Sequence, residues 1–273
     1  LAFTSLVRSM IPESPAEGEA ALIIFPNGEE RVIILERNKV VQTKYGILRH
    51  NDILNRNWGE SIETSTGFKV MFQKPSYLEV VYNLFRRKSQ VIYEKDAAIM
   101  ISLSGIGPGS MVGESGVGSG FLTAHILKAI RNKEEYYGYE IRDDMATTAI
   151  ENLKLLGYDV RDRIFVKDIR KGIDEKGFDA FFLDIPDPWE AMTSIYSSLS
   201  SSARVIVFVP SVNQILKTLN DPRVIERYYP YKVLEIMSRE YEREGGAIRP
   251  AFFQKVFSGY IMVFLRKTSG EKT

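Results

Sequence analysis

Three glycines at alternate positions, Gly116, Gly118 and Gly120, lie in the run Glu114-Ser-Gly-Val-Gly-Ser-Gly120, between residues of strand character and a segment of helical periodicity. Glycines in such a strand-to-helix turn let a ligand approach the backbone, as open α/β sheets do when they hold nucleotide-like molecules beyond the carboxyl ends of their strands. Phe121 stands where the dinucleotide fingerprint has its last glycine, and Glu114 places a carboxylate beside the turn. A diphosphate would be repelled by that acid and would need the free helix N-terminus, whereas a sulfonium cation with an amino-acid tail suits it. The expected ligand is therefore S-adenosylmethionine and the expected chemistry methyl transfer. The alternative is a glycine-rich turn with a structural role alone.

Three further carboxylates fall where such a site would use them. Glu140 ends the strand-like run from Tyr136, about twenty residues after Gly120, a place from which an acid accepts hydrogen bonds from both ribose hydroxyls. Asp168 follows Ile164-Phe-Val166, where a carboxylate either accepts from an adenine amino group or caps a helix. Asp184 closes Phe181-Phe-Leu-Asp184 and opens Ile185-Pro-Asp-Pro-Trp189, a loop stiffened by two prolines and carrying an aromatic ring that can hold a flat base. Asp184, at the edge of that pocket and close to the transferable methyl, is the residue assigned to chemistry. Asp187 is the more natural cap for the helix that starts near Trp189.

The elements that must position these residues follow from periodicity. Residues 110–114, 136–140, 164–166, 180–184 and 205–209 read as buried strands, and 120–131 and 144–156 as helices between them. This alternation predicts an α/β fold, a doubly wound Rossmann-like sheet. Residues 232–237 and 259–265 supply two more strands, bringing the sheet to seven, and an antiparallel end fits the absence of an amphipathic helix between them. Residues 21–72 alternate in short apolar segments separated by Pro26-Asn-Gly28 and Thr66-Gly67, the pattern of a small all-β module. Ser76 can cap a connecting helix with Leu78, Val81, Tyr82 and Phe85 on one stripe. The expected division is 1–75 for the N-terminal β domain with its leading tail and 76–273 for the cofactor-binding catalytic domain.

The 273 residues contain no cysteine and only two histidines, His50 and His125, which removes disulfides, thiolate nucleophiles and Cys-type zinc sites. No metal site is expected, and both histidines read as surface or packing residues. A net charge of +1 neither predicts nor excludes a nucleic-acid partner, which depends on local clustering. No apolar run is long enough to span a bilayer and the first ten residues lack a signal-peptide pattern, so a cytoplasmic protein is expected.

Glu114 to Gly120 together with Leu183-Asp-Ile-Pro-Asp-Pro-Trp-Glu-Ala191 resembles the tRNA adenine-58 N1-methyltransferases of bacteria, archaea and the eukaryotic catalytic subunit. Gln90-Val-Ile-Tyr-Glu-Lys-Asp96, Pro210-Ser-Val-Asn-Gln214 and Arg249-Pro-Ala-Phe-Phe-Gln254 are similar to further stretches of that family, and the N-terminal module matches its small barrel-like domain. Glu94 departs from it, standing where a smaller residue or proline is expected. The resemblance implies methyl transfer from S-adenosylmethionine to N1 of an adenine in the tRNA T-loop by a homotetramer. It implies a cofactor site of Gln90, Glu114, Ser115, Gly116, Gly118, Ser119, Gly120, Glu140, Asp168 and Asp184, with Asp184 catalytic. The target adenine must be drawn out of the T-loop and stacked, for which Trp189, Tyr93 and Tyr196 are candidates, Trp189 first. Arg249 and Gln254 are further substrate-binding candidates, and Arg86-Arg87-Lys88, Arg239 and Arg243 could meet the RNA backbone. The competing readings are a methyltransferase for an isoaspartyl carboxylate or a corrinoid precursor, a non-catalytic tRNA-binding subunit, and an NAD-dependent oxidoreductase. A carboxylate at Asp184 disfavours an anionic acceptor. The intact turn with Glu140 and Asp184 disfavours the non-catalytic subunit, and Phe121 with the lack of an acid/base histidine disfavours the oxidoreductase.

Overall fold

The computed structural model describes residues 14–244, 246–252 and 257–268, the side chains of 242–244 excepted. The chain forms two compact units that divide after Phe85. The first contains β1 (Ala20–Ile24), β2 (Glu30–Ile34), β3 (Val40–Thr43), β4 (Gly46–Arg49), α1 (His50–Leu54), β5 (Ser61–Glu63), β6 (Lys69–Gln73) and α2 (Tyr77–Leu84). Strands order β2-β1-β6-β5 in an antiparallel sheet, with β3 and β4 as a separate hairpin. Inward-facing Ala21, Ile23, Ile33, Ile62, Val70 and Phe72 form its core with Leu48 and Ile53, the alternation expected of strands with one buried face. Ser76 and Glu79 close a reciprocal capping box at the start of α2. The division falls after α2 rather than after residue 75 because α2 packs on β2 of this unit, with Val80 and Val81 buried.

The second unit contains α3 (Glu94–Ser104), β7 (Val112–Ser115), α4 (Phe121–Ile130), β8 (Tyr136–Glu140), α5 (Asp143–Lys154), β9 (Ile164–Val166), β10 (Phe178–Leu183), α6 (Pro188–Ile195) and β11 (Leu199–Val209). It continues with α7 (Val212–Asn220), α8 (Pro222–Arg227), β12 (Tyr228–Glu235), the hairpin β13 (Tyr241–Glu244) and β14 (Ala247–Pro250), and β15 (Tyr260–Arg266). Seven strands order β12-β15-β11-β10-β7-β8-β9, parallel from β11 to β9, with β15 antiparallel to both of its neighbours. The doubly wound sheet and its antiparallel end are as the sequence pattern predicts.

This order positions the site. The chain runs β7, β8, β9 in one direction and resumes with β10 and β11 on the other side of β7, so β7 and β10 flank the topological switch point where open α/β sheets bind ligands. Ser115 pairs with Leu183 at the carboxyl ends of these two strands. The glycine turn and the Asp184 loop thus leave the sheet side by side. Buried Phe178, Phe181, Val205, Val207, Met262 and Phe264 make the sheet a rigid base for both loops. Among the described residues no helix is long and apolar enough to cross a membrane.

Candidate active site

A cavity of about 450 Å³ opens at the switch point, within the range of small-ligand sites. Ser115, Gly116, Gly118 and Ser119 of the glycine turn line it, with Gln90, Glu140, Asp168 and Asp184. Two sequence features make the turn. Gly116, Gly118 and Gly120 all adopt positive φ, the left-handed region glycine enters without strain. At Gly116 a side chain is also excluded by space, since a Cβ there would lie 2.0 Å from the Asp184 carbonyl oxygen. The Asp184 N–H donates to the Ser115 carbonyl at 2.9 Å, so the two loops are joined backbone to backbone.

Glu140 braces the turn from β8. One carboxylate oxygen accepts from the Gly118 N–H at 2.9 Å and the other from the Arg142 N–H at 3.0 Å. Asp168 both caps the short 3-10 turn Ile169–Lys171 and accepts two bonds from the Arg170 guanidinium, which holds its carboxyl below the usual carboxylate range. Of the two readings left open for Asp168 the structure shows the cap, on a 3-10 turn, in a side chain that also lines the cavity. Asp184 is different. Burial first, and then the negative charge of Glu140, push its carboxyl up to about 7.

The charge pattern indicates what the cavity can hold. Arg142 is paired with Asp144, and Arg170 with Asp168 and Asp187. The two guanidiniums of the lining are therefore already neutralised, and Glu140 and Asp184 leave the site suited to a cation rather than a diphosphate. Val91, Ile141, Met145 and Ile185 add apolar walls for a flat ring. These residues fit a sulfonium nucleoside.

Several expected site residues are placed elsewhere. Glu114 does not line the cavity: it is buried on the other side of β7, where its Oε2 accepts from the Tyr136 hydroxyl at 2.6 Å and the Thr123 hydroxyl at 2.8 Å. Burial pushes its carboxyl up to about 8 despite both bonds, so it is a largely neutral core group at pH 7 and not a carboxylate facing a ligand. Gly120 is also off the lining and instead lets α4 approach Ala149 of α5, with an added Cβ meeting that residue's Cβ at 3.2 Å. Trp189 is 5% exposed and belongs to the core under α6, with Lys217 Nζ 4.0 Å from its ring centroid, so it is not a stacking platform. Tyr196 bonds the Lys267 carbonyl and packs edge-on against Tyr228, away from the cavity. Tyr93 precedes α3, outside the lining, and its hydroxyl accepts from Arg87. Arg249 is exposed on β14, and Gln254 lies outside the described residues.

Of the basic candidates, Arg86 pairs with Glu151, Lys88 donates to the Asp144 carbonyl and Arg239 stacks over Tyr241. His50 is buried, its Nδ1 accepting from the Glu36 N–H, and His125 is buried on α4 with its imidazole pushed down to about 4. Ile141 and Arg170 are lining residues that sequence reasoning missed. Ile141 carried a signal, an apolar residue directly after the strand-end acid, and it is 62% exposed.

Residues 75–250 match the family model described as tRNA methyltransferase complex GCD14 subunit. The chain is 26% identical over 260 residues to the tRNA (adenine(57)-N(1)/adenine(58)-N(1))-methyltransferase TrmI of Methanocaldococcus jannaschii, covering 86% of this chain and 90% of that one. It is 24% identical over 243 residues to the tRNA (adenine(58)-N(1))-methyltransferase TrmI of Thermus thermophilus, covering 88% and 93%. Among solved structures, the tRNA (m1A58) methyltransferase TrmI of Aquifex aeolicus superposes with a TM-score of 0.80 at 26% identity, over 94% of this chain and 100% of that one. A SAM-dependent O-methyltransferase of Thermotoga maritima superposes with a TM-score of 0.85 at 28% identity, over 97% and 98%.

Proposed function

The chain belongs to the tRNA methyltransferase complex GCD14 subunit family, and from that premise we propose that it transfers a methyl group from S-adenosylmethionine to N1 of adenine 58 in the T-loop of tRNA. The observation that carries the reading is the placement of Asp184, whose carboxylate shares a cavity with the glycine turn at the switch point. Gly116, Gly118, Ser119 and Gln90 would hold the methionine side of the cofactor, Glu140 its ribose and Asp168 its adenine amine. When bound, S-adenosylmethionine supplies an electrophilic methyl group.

Asp184 acts on the acceptor. Neutral adenine has a lone pair at N1, so no strong base is needed before attack, but the methylated base is cationic and its exocyclic amine more acidic. The Asp184 carboxylate accepts a hydrogen bond from that amine, fixes N1 in line, balances the developing charge and takes the proton afterwards. Ile185 and Pro186, in the cavity wall next to Asp184, offer the apolar surface for the extracted base in place of Trp189. The active form is a homotetramer in this reading, and exposed Tyr229, Tyr231 and Val233 on the outermost strand β12 provide apolar surface for copies to meet.

The acidity of Asp184 gives a pH dependence. Its carboxyl lies near 7, and the useful form is the carboxylate. For tRNA methylation kcat/KM, which reports the free enzyme, should fall about tenfold per pH unit below 7 and level off above it. A flat profile from pH 5.5 to 8 would contradict the role. The function itself is tested by incubating the protein with methyl-labelled S-adenosylmethionine and unmodified tRNA. Label in RNA is expected; label confined to protein carboxyls or to hydroxylated small molecules would contradict it.

A further inference from the structure

The segment Asp184-Ile-Pro-Asp-Pro188 has two fewer backbone donors than an ordinary loop of its length, because both prolines lack an N–H. Two side chains from outside brace it. Arg170 reaches Asp187 at 3.2 Å from the cofactor side. From outside the cavity lining, the Gln214 amide Nε2 donates to the Pro186 carbonyl at 3.0 Å.

The Gln214 amide is itself oriented. Ser211 is the N-cap of α7, accepting from the Gln214 N–H at 3.3 Å, and its hydroxyl donates to Gln214 Oε1 at 2.8 Å. With the amide oxygen held by Ser211, the amide nitrogen is left facing Pro186. The Ser-x-x-Gln capping pattern thus does two things: it starts α7 and it aims a donor at the loop that carries Asp184.

We infer that Gln214 is a positioning residue for methyl transfer, setting the Asp184 loop through the Pro186 carbonyl without touching acceptor or cofactor. This rests on the reading of Asp184 as the group that orients the acceptor base. Alignment of reacting groups is sensitive to displacements of the order of 1 Å, and the Pro186 carbonyl that Gln214 holds lies two residues from Asp184, so releasing it is expected to disturb that alignment. The Asp184 backbone remains tied to Ser115 in Gln214 variants, so the cofactor half of the site stays intact.

The test compares Gln214→Leu and Gln214→Glu, neither of which can donate to Pro186 when the glutamate is ionised. Steady-state tRNA methylation, S-adenosylmethionine affinity by calorimetry and melting temperature are measured for each. The expected result is a kcat about tenfold lower in both variants, with cofactor affinity within about twofold and the melting temperature unmoved. A kcat within about twofold of the parent, or a loss of cofactor affinity and melting temperature in step with kcat, would overturn the inference. Asp184→Asn is assayed beside them: if it retains transfer, the reading of Asp184 fails. If it loses transfer while both Gln214 variants keep theirs, only the positioning role fails.

Discussion

Asp184→Asn is expected to lower kcat for tRNA methylation by about two to three orders of magnitude, and Asp184→Ala further, with S-adenosylmethionine binding still measurable by calorimetry. Asparagine keeps the shape and one acceptor oxygen but cannot balance the charge that develops on the base or take its proton. The cofactor contacts should survive, since the link from this residue to the glycine turn runs through its backbone N–H and not its side chain. The variant should also be no less stable than the parent at pH 8. A carboxyl raised from its ordinary value of 3.8 to about 7 by burial and by Glu140 favours the folded state below the lower value, and that advantage is lost as pH rises through the upper one. Removing the group removes that loss. An Asp184→Asn enzyme with near-parental kcat would refute the assignment.

Gly116→Ala is expected to be the most damaging single methyl addition at the site. The new Cβ would sit 2.0 Å from the Asp184 carbonyl oxygen and 2.8 Å from its carbonyl carbon, and the residue has φ +84°, so two independent penalties coincide. Left-handed backbone costs a non-glycine residue about 1–2 kcal/mol, and the collision is with backbone that is tied to β7 and cannot rotate aside. Cofactor affinity should fall by about a hundredfold or more, with a melting temperature several degrees lower, on the scale of overpacking penalties of about 1–3 kcal/mol. Gly118→Ala is the internal control, because its nearest neighbour would be the Ser89 hydroxyl at 3.5 Å and only the backbone penalty applies, at φ +56°. Parental cofactor affinity in Gly116→Ala would contradict the described turn.

The fold was legible in the sequence because its signals are local. Strand-like runs ending in Glu140, Val166 and Leu183, each followed by turn residues, need no partner to be recognised, and the glycine turn is marked by residues that only positive φ requires. The misplaced residues depend on which face an element presents. Along β7, Glu114 and Ser115 point to opposite faces; which of them meets the cavity is decided by Tyr136 and Thr123, distant in sequence. Trp189 looked like a loop aromatic, yet Pro188 occupies the first turn of α6 and places Trp189 on one stripe with Met192 and Ile195, a helical spacing present in the sequence. Arg170 to Asp187 and Gln214 to Pro186 are pairs of an ordinary side chain with a distant loop, and no local pattern marks them.

The most direct test of the central claim is nucleoside mapping of a tRNA transcript after incubation with the protein and S-adenosylmethionine. The account predicts 1-methyladenosine at position 58 and none in a transcript whose adenine 58 is replaced by guanine. Equal methylation of both transcripts, or methylation at a ring or ribose atom other than N1, would contradict it.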